Sequence, residues 1–441
     1  MHIPPALHHR RFLLLWLGLM ISIAGSQMQV AALLWHIRSL TDQPIALGGI
    51  GLARILPVIV FSLVGGAVAD AADRRKVLFL TQSVMALVAL VLSLLTFIEQ
   101  ITLWQIYALT AIQAVAVSFD LPARQALVPN LVPANDLSNA FSLQSIASQA
   151  GTIVGPALGG LVIAYWGQPY TYLINAISFL AVLVALILIG PVAQQIHPMT
   201  STNSIKFERP ENPLHLFTHP IALFAVLRNY ERGFIANVME GVRFILSRPV
   251  IFSTMILDFV ATFFASANTL MPIFARDVLH VDVVAYGWLS AAQSFGAVIA
   301  GLIVSQIDQI RRQGPVFLVS VVIFGLATIV FGLANSFILA MTILSFVGAA
   351  DTVSTIIRNT IRQLQTPDYI RGRMTSINQI FFQGGPQLGE IEAGLVAQLF
   401  GAPFAIVSGG VGCIIAVGWI VRRWPQLRMY KGDEPALLEA L

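Results

Sequence analysis

Long uninterrupted apolar runs, each close to the length that crosses a bilayer, alternate with short polar stretches along almost the whole chain. The runs fall at Phe12–Ile37, Ala46–Ala69, Val77–Ile98, Leu103–Leu121, Leu137–Trp166 and Tyr170–Ile189. After a long polar stretch they resume at Val250–Phe274, Tyr286–Ile307, Val316–Ala334, Ile338–Ile357, Met374–Phe400 and Pro403–Val421. Each predicts a spanning helix, because hydrocarbon cannot satisfy an open backbone. The alternating period of barrel strands is absent. The first run follows Arg10 and Arg11, as a signal peptide would, but it is too long for one and no small-x-small cleavage site precedes the next run. It is read as a retained helix.

The pattern therefore predicts an all-α membrane protein of twelve transmembrane helices in two six-helix bundles. Residues 1–190 form the first, 191–249 a cytoplasmic linker, and 250–441 the second with a cytoplasmic tail. The linker opens with a flexible stretch rich in Pro, Asn, His and Thr. Over Tyr230–Leu246, Phe234, Val238, Val242 and Ile245 share a face away from Glu231, Arg232, Glu240 and Arg243, as an interfacial amphipathic helix requires.

Composition closes other possibilities. Of 441 residues, 57% are apolar and 10% charged, against about a quarter charged in soluble proteins. The single Cys413 excludes an intrachain disulfide and a CxxC metal site. No cofactor or metal is expected. The pI of about 9.4 would suit a nucleic-acid partner, but the placement of the basic residues assigns them to topology. With the N-terminus inside, 22 of the 25 Lys and Arg residues fall on the cytoplasmic side, while Arg38 and Arg276 fall outside and Arg54 within a helix. Both termini are expected in the cytoplasm.

The chain also matches itself. A shift of 234 positions places Arg124 on Arg358, Pro133 on Pro367, Gly151 on Gly385, Gly155 on Gly389, Gly160 on Gly394 and Gly167 on Gly401. A shift of 235 places Gly66 on Gly301 and Asp73 on Asp308. Two halves of like topology are the parallel repeat of secondary transporters, whose substrate site lies between the halves.

Two motifs narrow the reading. After the second run come Gly66, Asp70, Arg74 and Arg75, spaced as in G-x-x-x-D-x-x-G-R-R/K, with Ala71 in place of the usual Arg and Asp73 in place of the second Gly. In the fifth run, Gly151, Gly155, Pro156, Gly159 and Gly160 form an antiporter-like glycine pattern, with Ser142 where its earliest glycine would stand. Such glycines also permit close helix packing by themselves. With twelve helices and two repeats, the chain resembles the major facilitator superfamily. Asp73-Arg74-Arg75-Lys76, Pro122-Ala123-Arg124, Pro367-Asp368-x-x-Arg371-Gly372-Arg373 and Leu388-Gly389 make it similar to the bacterial subfamily of enterobactin exporters and macrolide-efflux proteins. Proton-coupled drug exporters of the superfamily carry an Arg within the fourth helix. The run Leu103–Leu121 has none, so coupling through that residue is not carried over.

Ionisable residues at bilayer depth each cost several kcal/mol, roughly 2.5–3.5 on insertion scales, and need a reason. They are Arg54, Asp120, Asp258, Asp351, Glu390 and Glu392. The resemblance implies that helices 1, 4, 7 and 10 line the cavity, which makes Asp258 and Asp351, with Gln27, Gln113 and Asn268, candidates for cargo binding and proton coupling. A structural ion pair is the competing role, and it is preferred for Asp120. The resemblance also sets helices 2 and 11 face to face, so Arg54 is expected to pair with Glu390 or Glu392 in an outer gate. Those two glutamates lie about 200° apart around a helix and cannot both face Arg54. At the inner end Asp70 is expected near Arg373. The gating set is thus Arg54, Glu390, Glu392, Gly66, Asp70, Arg74, Arg75 and Arg373.

The expected function is secondary active export of a small amphipathic organic compound, such as a siderophore or drug, from the cytoplasm across the bacterial inner membrane. Protons are the expected counter-ion and a monomer the expected state. No nucleotide-binding loop G-x-x-x-x-G-K-[ST] occurs. An importer or lysophospholipid flippase of the same fold is the alternative. An intramembrane enzyme fits less well, since a catalytic site does not require two matching halves.

Overall fold

The computed structural model describes residues 4–192, 239–265, 267–307 and 310–432. Six long helices come first: α1 (Arg10–Leu40), α2 (Pro44–Ala71), α3 (Arg74–Phe97), α4 (Leu103–Leu127), α5 (Leu137–Trp166) and α6 (Gln168–Ile189). Six follow: α7 (Pro249–Phe264), α8 (Val283–Ser305), α9 (Gln313–Gly332), α10 (Phe337–Gln365), α11 (Asp368–Phe400) and α12 (Ala402–Arg423). Among the described residues, eleven of these, with α7 continued to Val278, are long and apolar enough to cross a membrane. The remaining one, α11, has the length but carries Asp368, Arg371, Arg373, Glu390 and Glu392. Ile187, Leu188, Leu302, Ile303 and Ile415 are among many large apolar side chains left exposed. Water would not tolerate such a surface, and lipid does.

Helix ends follow local chemistry. The Asp73 side chain caps α3, accepting from the backbone N–H groups of Arg75 at 3.0 Å and Lys76 at 3.4 Å, which explains why Asp stands where the loop motif has glycine. Thr102 and Gln105 close a reciprocal capping box at the start of α4. Replacing Asp73 by Ala should lower stability by about 1 kcal/mol, read as a drop in the thermal midpoint of the purified protein. An unchanged midpoint would remove the cap from the account.

The repeat survives in the backbone. Gly167, between α5 and α6, has φ 92° and ψ 170°. Gly401, between α11 and α12, has φ 89° and ψ 157°. Only glycine occupies that region readily, and each is followed two residues on by Pro169 or Pro403 in the next helix's first turn.

Two compact units emerge. One gathers Met1–Leu33 and the helices from Leu56 onward, and the other joins Leu34–Ile55 to the C-terminal helices. Both α1 and α2 therefore change unit part-way, α2 close to its internal Pro57. In the first unit α3 packs on α4 and α6, while in the second α9 packs on α10 and α12. A Cβ on Gly151 would meet Ile23 of α1, and one on Gly155 would lie 2.6 Å from Gln27 Cβ. Gly385, the repeat partner of Gly151, sits against Phe259 and Thr262 of α7 in the same manner.

Of the expected linker helix, Tyr230–Val238 lies outside the described residues, and residues 239–247 are helical. There Ile245 and Val242 pack with Ile251, Met255, Met374 and Ile377, while Arg243 is exposed. The tail after α12 folds back. The carbonyls of Lys431 and Tyr430 accept from the N–H groups of Arg312 at 3.2 Å and Gly314 at 3.0 Å, supplying partners to the open start of α9.

Candidate functional site

Among the described residues, a closely enclosed group of charges lies between α7 and α10. Asp258 Oδ1 is 2.6 Å from Arg358 Nη1, and Asp258 Oδ2 is 3.7 Å from Arg362 Nη2, with all three side chains at most 4% exposed. Arg362 Nε donates to Thr254 Oγ1 at 3.4 Å, Arg358 Nη1 reaches Ser354 Oγ at 3.5 Å, and the Phe382 ring lies 6.0 Å from the Arg358 guanidinium. The helical period makes this assembly. Asp351, Arg358 and Arg362 stand at i, i+7 and i+11 on α10, as Thr254 and Asp258 stand at i and i+4 on α7. Half-buried Asp351 lies within electrostatic reach of Arg358 and Asp258. The four groups thus hold two positive and, when both carboxyls are ionised, two negative charges.

The arginines of this cluster were not among the expected site residues, because the tenth apolar run stops at Ile357. The helix continues to Gln365, and the signal was present in Ile357, Ile361 and Leu364, which keep the apolar period past the first Arg. The same correction applies to the fourth helix. Its apolar run stops before Pro122, but α4 tolerates that proline and runs to Leu127, so it does contain an arginine. Arg124 Nη2 lies 2.5 Å from Asp120 Oδ2, while Asp120 Oδ1 accepts from Thr81 at 3.1 Å and Gln82 at 2.7 Å. The repeat-related Arg124 and Arg358 are therefore both partnered, one by a carboxylate on its own helix and the other by α7.

At the opposite end of the second unit, Arg54 Nη1 stands 3.6 Å from Glu390 Oε1, and the Thr269 hydroxyl donates to Glu390. Glu392, two residues on and half-buried, forms no ion pair with Arg54. The helices carrying this pair nearly touch. A Cβ on Gly48 would come 2.8 Å from the Glu390 carbonyl, one on Gly51 would overlap the Gln387 carbonyl, and one on Gly394 would come 2.9 Å from Gly48. A second pair, outside the expected gating set, joins Arg38 Nη2 to Asp277 Oδ2 at 2.8 Å, with Trp35 stacked on Tyr286 at 5.2 Å. Arg38 also pairs with Asp42 and holds that loop carboxyl below its ordinary range.

The remaining candidates scatter. Gln113 Oε1 accepts from Gln29 Nε2 at 2.7 Å, whose Oε1 accepts from Asn175 at 2.7 Å, so an amide chain links α1, α4 and α6. Gln27 is half-buried beside Gly155, and Asn268 is exposed in the 3-10 turn that follows α7. Arg74 Nη1 donates to the Ala126 carbonyl at 2.9 Å and Arg75 Nε to the Leu186 carbonyl at 2.7 Å. Both thereby cap the last turns of α4 and α6 within the first unit. Gly66 lies in α2, Pro156, Gly159 and Gly160 are buried in α5, and the side chains of Asp70 and Arg373 lie outside the described residues.

Known proteins align with this chain over nearly all its length. The family model described as transmembrane secretion effector matches residues 4–201 and 226–436. The enterobactin exporter EntS of Citrobacter koseri is 25% identical over 97% of this chain and 95% of its own, and that of Shigella boydii is 25% identical over 85% and 82%. Among solved structures, a bacterial homologue of the human lysosomal transporter Spinster superposes with a TM-score of 0.68 at 13% identity, covering 97% of each chain. A POT family transporter in complex with 5-aminolevulinic acid gives 0.69 at 14% identity over 96% of this chain and 97% of that one. The fold is that of the major facilitators, and the chain is a multi-pass membrane transporter that belongs to the transmembrane secretion effector family.

Proposed function

We propose that this transporter exports a small amphipathic organic compound, of the siderophore or drug type, across the bacterial inner membrane by alternating access, with protons moving inward in exchange. The observation that carries this reading is the near full-length likeness to enterobactin exporters. The basic residues favour both termini in the cytoplasm. Asp258 already has two guanidinium partners, so the coupling role falls to Asp351, which is half-buried and reaches Arg358 only electrostatically. With Asp351 ionised the cluster is neutral and accepts a donor or cationic group of the cargo. A proton on Asp351 makes the cluster positive and repels that group. Cargo and proton then alternate at one carboxyl, which is what exchange demands. Arg54 and Glu390 form the outer gate, opened when α2 leaves α11.

The test is uptake of siderophores, macrolides and dyes into inverted vesicles with an acid interior. Accumulation should follow the gradient and vanish in Asp351→Asn. Accumulation of a confirmed cargo without gradient dependence would remove proton exchange, and uptake confined to right-side-out vesicles would reverse the direction.

A further inference from the structure

A groove of about 650 Å³ runs between α7 and α12, walled by Val260, Phe264, Val407, Val411, Ile415 and Trp419. Its α12 wall faces outward, with Ile415 65% and Trp419 51% exposed. From Phe404 to Trp419 the groove follows α12 for about 22 Å at the helical rise. That exceeds half of a hydrocarbon core about 30 Å thick, so one acyl chain fits along it. Its Trp419 end meets an aromatic and basic cluster. Trp424 stands edge-on to Trp419 at 5.4 Å and to Phe252 at 5.6 Å, and the Arg423 guanidinium lies 5.4 Å from the Trp424 ring. Arg248 lies 5.8 Å from the Phe244 ring, and Arg422, Arg423, Arg428 and Lys431 are exposed. Over the described residues 239–248 and 422–432, which flank this end, Glu240 is the one carboxylate, and Asp433 and Glu434 follow in the sequence.

An apolar groove of acyl length that ends on indoles and guanidiniums has the layout of a lipid, tail then headgroup. Trp rings settle at headgroup depth, and guanidinium forks match phosphate oxygens. We propose that the α7–α12 groove binds one anionic phospholipid, its acyl chain along Val411 and Ile415 and its phosphate on Arg422 and Arg423. The tail supports the site, because the backbone bonds of Tyr430 and Lys431 to the start of α9 fix the segment that follows these arginines.

The test is native mass spectrometry of the full-length protein in a maltoside detergent, with dioleoyl phosphatidylglycerol or dioleoyl phosphatidylcholine added. One phosphatidylglycerol should be retained and phosphatidylcholine should not. Arg422→Gln with Arg423→Gln should weaken retention about 30-fold, from about 1 kcal/mol per basic residue near a lipid surface. The double Lys variant should keep it. Val411→Trp fills the groove from an exposed position and should abolish retention with every charge in place. Equal retention of both lipids, undiminished retention in folded Val411→Trp, or displacement by glycerol phosphate would each overturn the site. If the Gln pair folds poorly, the Lys pair and Val411→Trp still decide, and neither needs cargo or a gradient.

Discussion

Replacing Asp258 with alanine is expected to cost about 3–5 kcal/mol, the range for removing one partner from a buried ion pair. The cause is geometric. Arg358 and Arg362, whose side chains are 4% and 3% exposed, would lose their direct carboxylate partner and keep only the more distant Asp351. The thermal midpoint of the purified protein should fall sharply. Asp258→Ala combined with Arg358→Met and Arg362→Met should recover most of the loss, because well-packed apolar groups replace buried ions at little net cost. If Asp258→Ala alone leaves the midpoint unchanged, the cluster is not the tie between α7 and α10 described above. The triple variant also separates stability from transport: it should fold yet fail to couple, since Asp351 would have lost the charges it works against.

The second large effect concerns the gate. Arg54→Glu would set two carboxylates against each other where helices α2 and α11 are held close by Gly48, Gly51 and Gly394. Either single reversal, Arg54→Glu or Glu390→Arg, should abolish transport, and the two together should restore it. The restored term is a coupling of about 0.5–3 kcal/mol, the range for residues in direct contact. Vesicle uptake and membrane abundance must be read side by side. A double variant that inserts normally and stays inactive would disprove the pairing, as would full activity in either single one.

Much of the architecture was legible because hydrocarbon imposes a single rule on every span, and because glycines at fixed offsets write the repeat into the chain. Gly167 and Gly401 illustrate this: the shift that aligned them also aligned one unusual backbone conformation. The Arg54–Glu390 contact was legible for a similar reason, since a charge at bilayer depth advertises its need for a partner. What stayed hidden was whatever lay past an apolar run. Arg358 and Arg362 occupy the last two turns of α10, where polar residues look like loop, and Pro122 gave a false end to α4. Arg38 and Asp277 were also opaque, because residues at the tips of spans carry no depth signal and the π-helical turn over Phe274–Val278 breaks the period. The exchange of Leu34–Ile55 into the second unit has no sequence signature, since apolar helices pair as readily with one neighbour as another.

That exchange has a consequence in time. A ribosome adds about 5–20 residues per second, and Glu390 emerges more than three hundred residues after Arg54. The α1–α2 hairpin therefore waits in the bilayer for roughly 20–70 s before its partner helix exists. Throughout that interval Arg54 lacks the Glu390 carboxylate, and Gly48 and Gly51 lack the α11 backbone that packs on them in the finished fold. A product halted anywhere before α11 would never acquire that contact.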